Sequence, residues 1–274
     1  MLRDDISNLY RYLGQPSWQY HDFQTEENFR DRIVRVLSER ARIAGKHKVT
    51  RTHKSKIVSI VSIGQLPGRK LVAGLAWFAS QRLQKRVPVR VVDMIPTRKT
   101  QEDAPHQQNN ITHVLVDTSS QRARMEALKE EAWFESQIVQ DRNEQGLIFV
   151  DVPESVLHAR HVAMAASDMV ITLLPATLSS VRIMEELESE LTEAVSSSME
   201  GGIHYLLVES GDASTLSPHL LQELLAHTDL FVPHILHPAT LASASQLNAA
   251  ALDAPGNREL SNICDYVLHG VTQA

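Results

Sequence analysis

At 274 residues, 43% of them apolar and 22% charged, the chain is long enough to bury a substantial core without disulfides or metals. Its net charge of −6 argues against a nucleic-acid coat, and no apolar run approaches the roughly 20 residues needed to cross a bilayer. A single cysteine, Cys264, excludes an internal disulfide, and the acidic start MLRDDISNLY is no secretory signal, so a cytoplasmic location is expected.

Three regions follow one another. Residues 1–41 carry acids and aromatics, with Leu9, Tyr12, Trp18, Tyr20 and Phe23 among the apolar positions. Such a tail suits an amphipathic element that docks on a protein partner, or equally a helical pair that packs on its own domain. Residues 42–56, RIAGKHKVTRTHKSK, hold six Lys/Arg and two His with no acid. Without interleaved aromatics this stretch reads as a solvated linker rather than a nucleic-acid or lipid contact.

From residue 57 to 274, short apolar runs alternate with longer helical patterns. The runs IVSIVSI (57–63), VRVVDMI (89–95), THVLVD (112–117), LIFVDV (147–152), MVITLL (169–174), HYLLVE (204–209) and LFVPHIL (230–236) have the length and composition of buried strands. Helical spacing is found over 71–85, 120–142, 154–167 and 178–197, and QEDAPHQQNNI (101–111) reads as a polar loop. Strand and helix alternating in this way predict an α/β fold, with a mostly parallel sheet covered by helices on both faces.

Ligands of such sheets bind at the carboxyl ends of the strands. The first strand runs into Gly64-Gln65-Leu66-Pro67-Gly68-Arg69-Lys70 and then the helix VAGLAWFASQRL. A glycine-containing turn opening a helix can hold phosphate on backbone N–H groups, and Arg69 and Lys70 add positive charge there. Asp93 and Asp151 close two further strands, where an acid either serves a ligand or caps the next turn. The pairs His158/His161 and His234/His237 are too sparse for a zinc site, and no metal is expected. No Ser/His/Asp or Cys/His spacing points to a catalytic nucleophile.

The order of these pieces is more specific than any one of them. Strand and phosphate loop, VAGLA helix, VVDMIP, FVDVP and SDMVITLLPATLSSVRIMEELE resemble successive landmarks of the MinD/ParA family of deviant Walker ATPases over residues 55–270. The closing LFVPHILHPATLASASQLNAAALDAPGNRELSNICDYVLHGV is similar to that family's last strand and two helices. Within the family the pattern looks most like the BcsQ (YhjQ) branch of cellulose-secretion ATPases. Asp4-Asp5-Ile6, Leu9, Leu13-Gly14 and Tyr20-His21-Asp22-Phe23 resemble the short BcsR and BcsP proteins. Glu27-Asn28-Phe29-Arg30 is also similar to a stretch in tyrosine kinases of polysaccharide export, but those end in a tyrosine-rich tail and this chain ends HGVTQA.

The resemblance implies a P-loop NTPase-like three-layer sandwich, with nucleotide held at Gly64, Gly68, Arg69, Lys70, Asp93 and Asp151. The chain departs from the family's K-G-G-x-G-K-[ST]-T loop. Aligned on the VAGLA helix, Arg69 stands at the loop lysine and Lys70 at the magnesium-binding hydroxyl; aligned from Gly64, Lys70 is the lysine and Leu71 replaces the hydroxyl. Either way the hydroxyl is lost. Ile95 replaces a second acid, Pro67 has no N–H to offer, and Glu209-Ser210-Gly211 replaces the asparagine that usually meets adenine. The expectation is a pseudo-ATPase with at most weak ATP or ADP binding, acting as a scaffold or regulator of bacterial cellulose or exopolysaccharide secretion. Its expected partners are proteins of that complex, at the inner-membrane face, with a homodimer or a heterodimer with a related ATPase. The alternatives are a divergent working ATPase, or a partition-type DNA-binding protein using residues 42–56.

Overall fold

The computed structural model describes residues 29–36, 54–63, 66, 68–84, 86–95, 107–108, 111–117, 134, 138–139, 143, 145–153, 157–194, 202–209, 216–228, 230–243 and 255–272. The strands are β1 (Lys56–Ser62), β2 (Val89–Ile95), β3 (Gln107–Gln108), β4 (Ile111–Asp117), β5 (Leu147–Val152), β6 (Met169–Pro175), β7 (Gly202–Val208) and β8 (Phe231–Leu236). They form one sheet in the order β3-β4-β2-β5-β1-β6-β7-β8. Every described pairing is parallel except that of β3 with β4. The helices are α1 (29–36), α2 (Gly68–Arg82), α3 (Leu157–Ala165), α4 (Ser180–Ala194), α5 (Pro218–Leu225), α6 (Pro238–Ser243) and α7 (Pro255–Thr272).

Burial on both faces explains why the strands are continuous apolar runs rather than alternating ones. On one face, Val58 and Ile60 of β1, Val91 of β2, Phe149 of β5 and Ile171 of β6 pack against Leu71, Leu75 and Phe78 of α2 and Ile263 and Val267 of α7. On the other, Val61, Val92 and Val150 meet Val162 of α3 together with Phe134 and Ile138. The β6–β8 end of that second face is covered by α4 and α5. Asp168 braces the start of the sheet: its carboxylate accepts a 2.7 Å bond from the Ile57 amide and lies 3.5 Å from Lys56 Nζ. Local chemistry sets the ends of several helices. Ser217 caps α5 with its hydroxyl accepting from the Leu220 amide, Pro218 takes the first turn, and Gln84 follows α2 in the left-handed region at φ 51°.

The sequence places the strands within a residue or two. It misses β3, because the polar run 101–111 reads as a loop. Gln107 pairs with Thr112 and Gln108 with Ile111, so a short antiparallel ladder lies along the β4 edge, where apolar character is not needed.

The described part of the N-terminal region, α1, packs on the domain. Phe29, Ile33 and Val36 are buried with Leu187 of α4, Leu220 and Leu224 of α5, and Tyr205 and Phe231 of the sheet. One ion pair reaches each flanking helix, Arg32–Glu185 at 2.7 Å and Arg30–Glu223 at 2.8 Å. The remainder of the expected docking tail, with Leu9, Tyr12, Trp18, Tyr20 and Phe23, lies outside the described residues, as does most of the basic stretch.

Candidate functional site

β2, β5 and β1 are neighbours near the middle of the sheet, and their carboxyl ends meet beneath the first turn of α2. β1 sits where the strand order changes direction, with β5, β2 and β4 to one side and β6 to β8 to the other. This is the usual place for a ligand crevice in an open α/β sheet.

Side-chain alternation then decides what faces the crevice. Ile60 of β1, Val91 of β2 and Phe149 of β5 point toward α2. Two residues on, so do Ser62, Asp93 and Asp151. Asp93 and Asp151 are directly opposite one another in the β2–β5 register. Two carboxyl groups thus lie side by side, 4% and 6% exposed.

Gly68, the first residue of α2, presses against this cluster. A Cβ at that position would lie 1.9 Å from Ser62 Oγ and 2.9 Å from Asp151 Oδ1, so only glycine fits without displacing them. Arg69 follows, and its Nη2 reaches Asp93 Oδ2 at 2.9 Å while most of the side chain stays in solvent. Lys70 is exposed.

Among the described residues, two carboxyl groups and one guanidinium meet here. Ser62 Oγ, Asp93 Oδ1 and Asp151 Oδ1 are buried with no hydrogen-bond partner among the described residues. Burial, and then the neighbouring Asp93 carboxylate, push the Asp151 carboxyl up to about 7, with Arg69 opposing.

A second polar group closes β7 and β8. His237 Nδ1 is 2.7 Å from Glu209 Oε2, which holds the imidazole above its usual range, and Glu259 accepts from the His237 amide and the Thr240 hydroxyl. Burial lowers the neighbouring His234. Among the described residues, no three His, Cys, Asp or Glu side chains are gathered to hold a metal ion.

Comparison with solved structures decides the fold. An apo McdA from Cyanothece aligns over 78% of this chain and 99% of its own, at 13% identity and a TM-score of 0.55. A ParA family ATPase from Chlorobium tepidum covers 80% and 99% at 14% identity and a TM-score of 0.52. MinD from Aquifex aeolicus, in its complex with MinC, covers 78% and 96% at 12% identity and a TM-score of 0.51. The fold is that of the MinD and ParA ATPases. No family model and no curated protein matches the chain.

In this MinD/ParA fold, the residues singled out from the sequence separate into three groups. Gly68, Arg69, Asp93 and Asp151 come together. Lys70 belongs to the same helical turn but is turned to solvent. Gly64 lies outside the described residues. Helix α2 opens at Gly68, and Arg69 and Lys70 follow in its first turn. Ser62 was not anticipated as part of the site. Its signal was strand parity, since it lies two residues after inward-facing Ile60, but a lone serine ending an apolar run is too common to single out.

Proposed function

We propose that this protein is a MinD/ParA-fold pseudo-ATPase that acts as a non-catalytic scaffold or regulator in bacterial cellulose or exopolysaccharide secretion. The observation that carries the non-catalytic part is the Arg69–Asp93 pair. The cation at the loop-to-helix junction neutralises one of the chain's own buried carboxylates instead of standing free for a phosphate. Phosphoryl transfer depends on positioned cations and Mg²⁺ to neutralise developing charge. The first turn of α2, Gly68-Arg69-Lys70-Leu71, offers no hydroxyl to a magnesium ion. Burial and the neighbouring Asp93 push the Asp151 carboxyl above the ordinary carboxylate range. This set of residues does not fit a magnesium–triphosphate.

The secretion pathway rests on the likeness of the landmark order to the BcsQ branch and of residues 4–23 to BcsR and BcsP. Partners are then proteins of that complex, at the cytoplasmic face of the inner membrane. A homodimer, or a heterodimer with an active relative, uses the surface around the carboxyl ends of β1 and β5. The Aquifex MinD, solved as a complex with MinC, is a precedent for protein partnership on this fold.

Calorimetric titration of the purified protein with ATP, ADP and GTP, with and without Mg²⁺, tests the mechanism. The expected result is no saturable heat below millimolar nucleotide and no phosphate release. Micromolar, Mg²⁺-dependent binding with turnover abolished by Asp151→Ala would replace this reading with a divergent working ATPase. Recovery of cellulose-synthesis proteins with the tagged chain from its own host tests the pathway, and their absence removes it.

A further inference from the structure

Helix α1 is held by elements far from it in the chain. Phe29, Ile33 and Val36 share one helical face and are buried in the cluster that contains Leu187 of α4, Leu220 and Leu224 of α5, and Tyr205 and Phe231 of the sheet. Arg30 and Arg32 bond to Glu223 and Glu185, 193 and 153 positions away, so the groove carries an acid on each rim. At eight residues α1 is too short to stay helical by itself, and the groove supplies the packing that orders it. Residues 37–53 join it to the rest of the domain. A connection of that length reaches at most about 60 Å, against a width of roughly 45 Å for a domain of this size. The groove of a neighbouring copy is therefore within reach as well as its own.

We propose that the α4–α5 groove also takes α1 from a second copy of this chain, so that two copies exchange these helices and associate as a swapped dimer. Exchange gains no contact and loses none: Phe29, Ile33 and Val36 are buried again, and Arg30 and Arg32 meet the same two glutamates across the pair. The balance between closed monomer and swapped dimer is then set by concentration. Its scale is the effective concentration of α1 at its own groove, on the order of millimolar for a connection of this length. At micromolar protein each helix stays in its own groove. At several hundred micromolar, or where a shared partner gathers copies together, a sizeable share is exchanged. The groove lies on the opposite face of the sheet from α2. It is thus a different surface from the ends of β1 and β5 proposed above for dimerisation, and it stands or falls separately from the pseudo-ATPase reading.

The test is energy transfer between full-length copies. A donor dye is attached through Val34→Cys on α1, where the native side chain is 60% exposed, and an acceptor through Gln222→Cys, exposed on α5, in a separate preparation. The native Cys264 is buried and its thiol is pushed up to about 12, so it escapes labelling. The two preparations are mixed, concentrated and incubated. The expected result is no transfer at about 10 µM and clear transfer at about 500 µM, lost when the donor chain also carries Ile33→Asp. Absence of transfer at the higher concentration overturns the proposal. So does transfer that Ile33→Asp leaves unchanged, which would place the association on another surface. Far-ultraviolet circular dichroism follows the Ile33→Asp chain. If that chain is unfolded the proposal also fails, because α1 would then be inseparable from its own core.

Discussion

Gly68 is required by two neighbours that are remote in the chain. A methyl group there would overlap Ser62 Oγ and crowd Asp151 Oδ1, and both belong to buried strand ends that cannot retreat far. Gly68→Ala is expected to destabilise the protein by about 1–3 kcal/mol. Adding Ser62→Ala should recover part of that loss, because it removes the nearest atom. Urea unfolding of the two single variants and the double variant measures the coupling, and strict additivity would mean the overlap is not with Ser62. Asp151 predicts a pH dependence. Its folded value near 7 lies above the ordinary carboxylate range, so the unfolded chain releases the proton first as pH rises. Its contribution to stability is full below about pH 4 and is lost progressively up to about pH 7, a change of roughly 4 kcal/mol. Thermal unfolding across this window should show Asp151→Asn with a flatter profile than the wild type and the greater stability above pH 7. A variant that loses stability with rising pH as steeply as the wild type would remove Asp151 as the cause. Arg69 and the acids were individually legible as site candidates. That Arg69 binds Asp93 while Lys70 turns outward depends on where α2 begins, which apolar spacing leaves open by a residue or more.

Helix α1 shows how an element can be concealed by its surroundings. Phe29, Ile33 and Val36 are spaced to share one helical face, but the intervening Arg30, Asp31, Arg32 and Arg35 give the segment the composition of a tail. Its apolar stripe fills a groove between α4 and α5, so those few residues complete a core they do not belong to in sequence. Phe29→Ala is expected to cost about 3–5 kcal/mol, comparable with the loss of any large buried aromatic. Arg30→Ala, removing an ion pair whose two side chains are both more than a third exposed, should cost less than about 1 kcal/mol. Chemical denaturation decides between this and a dispensable tail, for which both variants would match the wild type. The strands were legible for the opposite reason. Burial on both faces leaves them uninterrupted apolar runs bounded by polar turns, and that signal survives without knowledge of the neighbours. β3 carries no such run, since two glutamines on a sheet edge need only their backbone groups to pair.

For the whole molecule, the expected response to nucleotide is none. A ligand that binds the native state raises the melting temperature by mass action, so millimolar Mg²⁺–ATP acting on even a micromolar site would stabilise this protein by about 4 kcal/mol. A melting temperature unchanged by Mg²⁺–ATP is the predicted outcome of differential scanning fluorimetry, and a rise of several degrees would show that the loop still holds triphosphate. The sequence by itself determined the fold class, the seven longer strands and the missing hydroxyl after Gly68, because each is a local pattern of residue type. It could not determine that Asp93 and Asp151 stand opposite one another, that Ser62 lies against Gly68, or that α1 belongs to the domain. Those facts depend on which strands become neighbours, on their register and on the faces left to cover. β5 enters the sheet between β2 and β1 although it follows both in the chain, and that insertion brings two distant acids into one buried site.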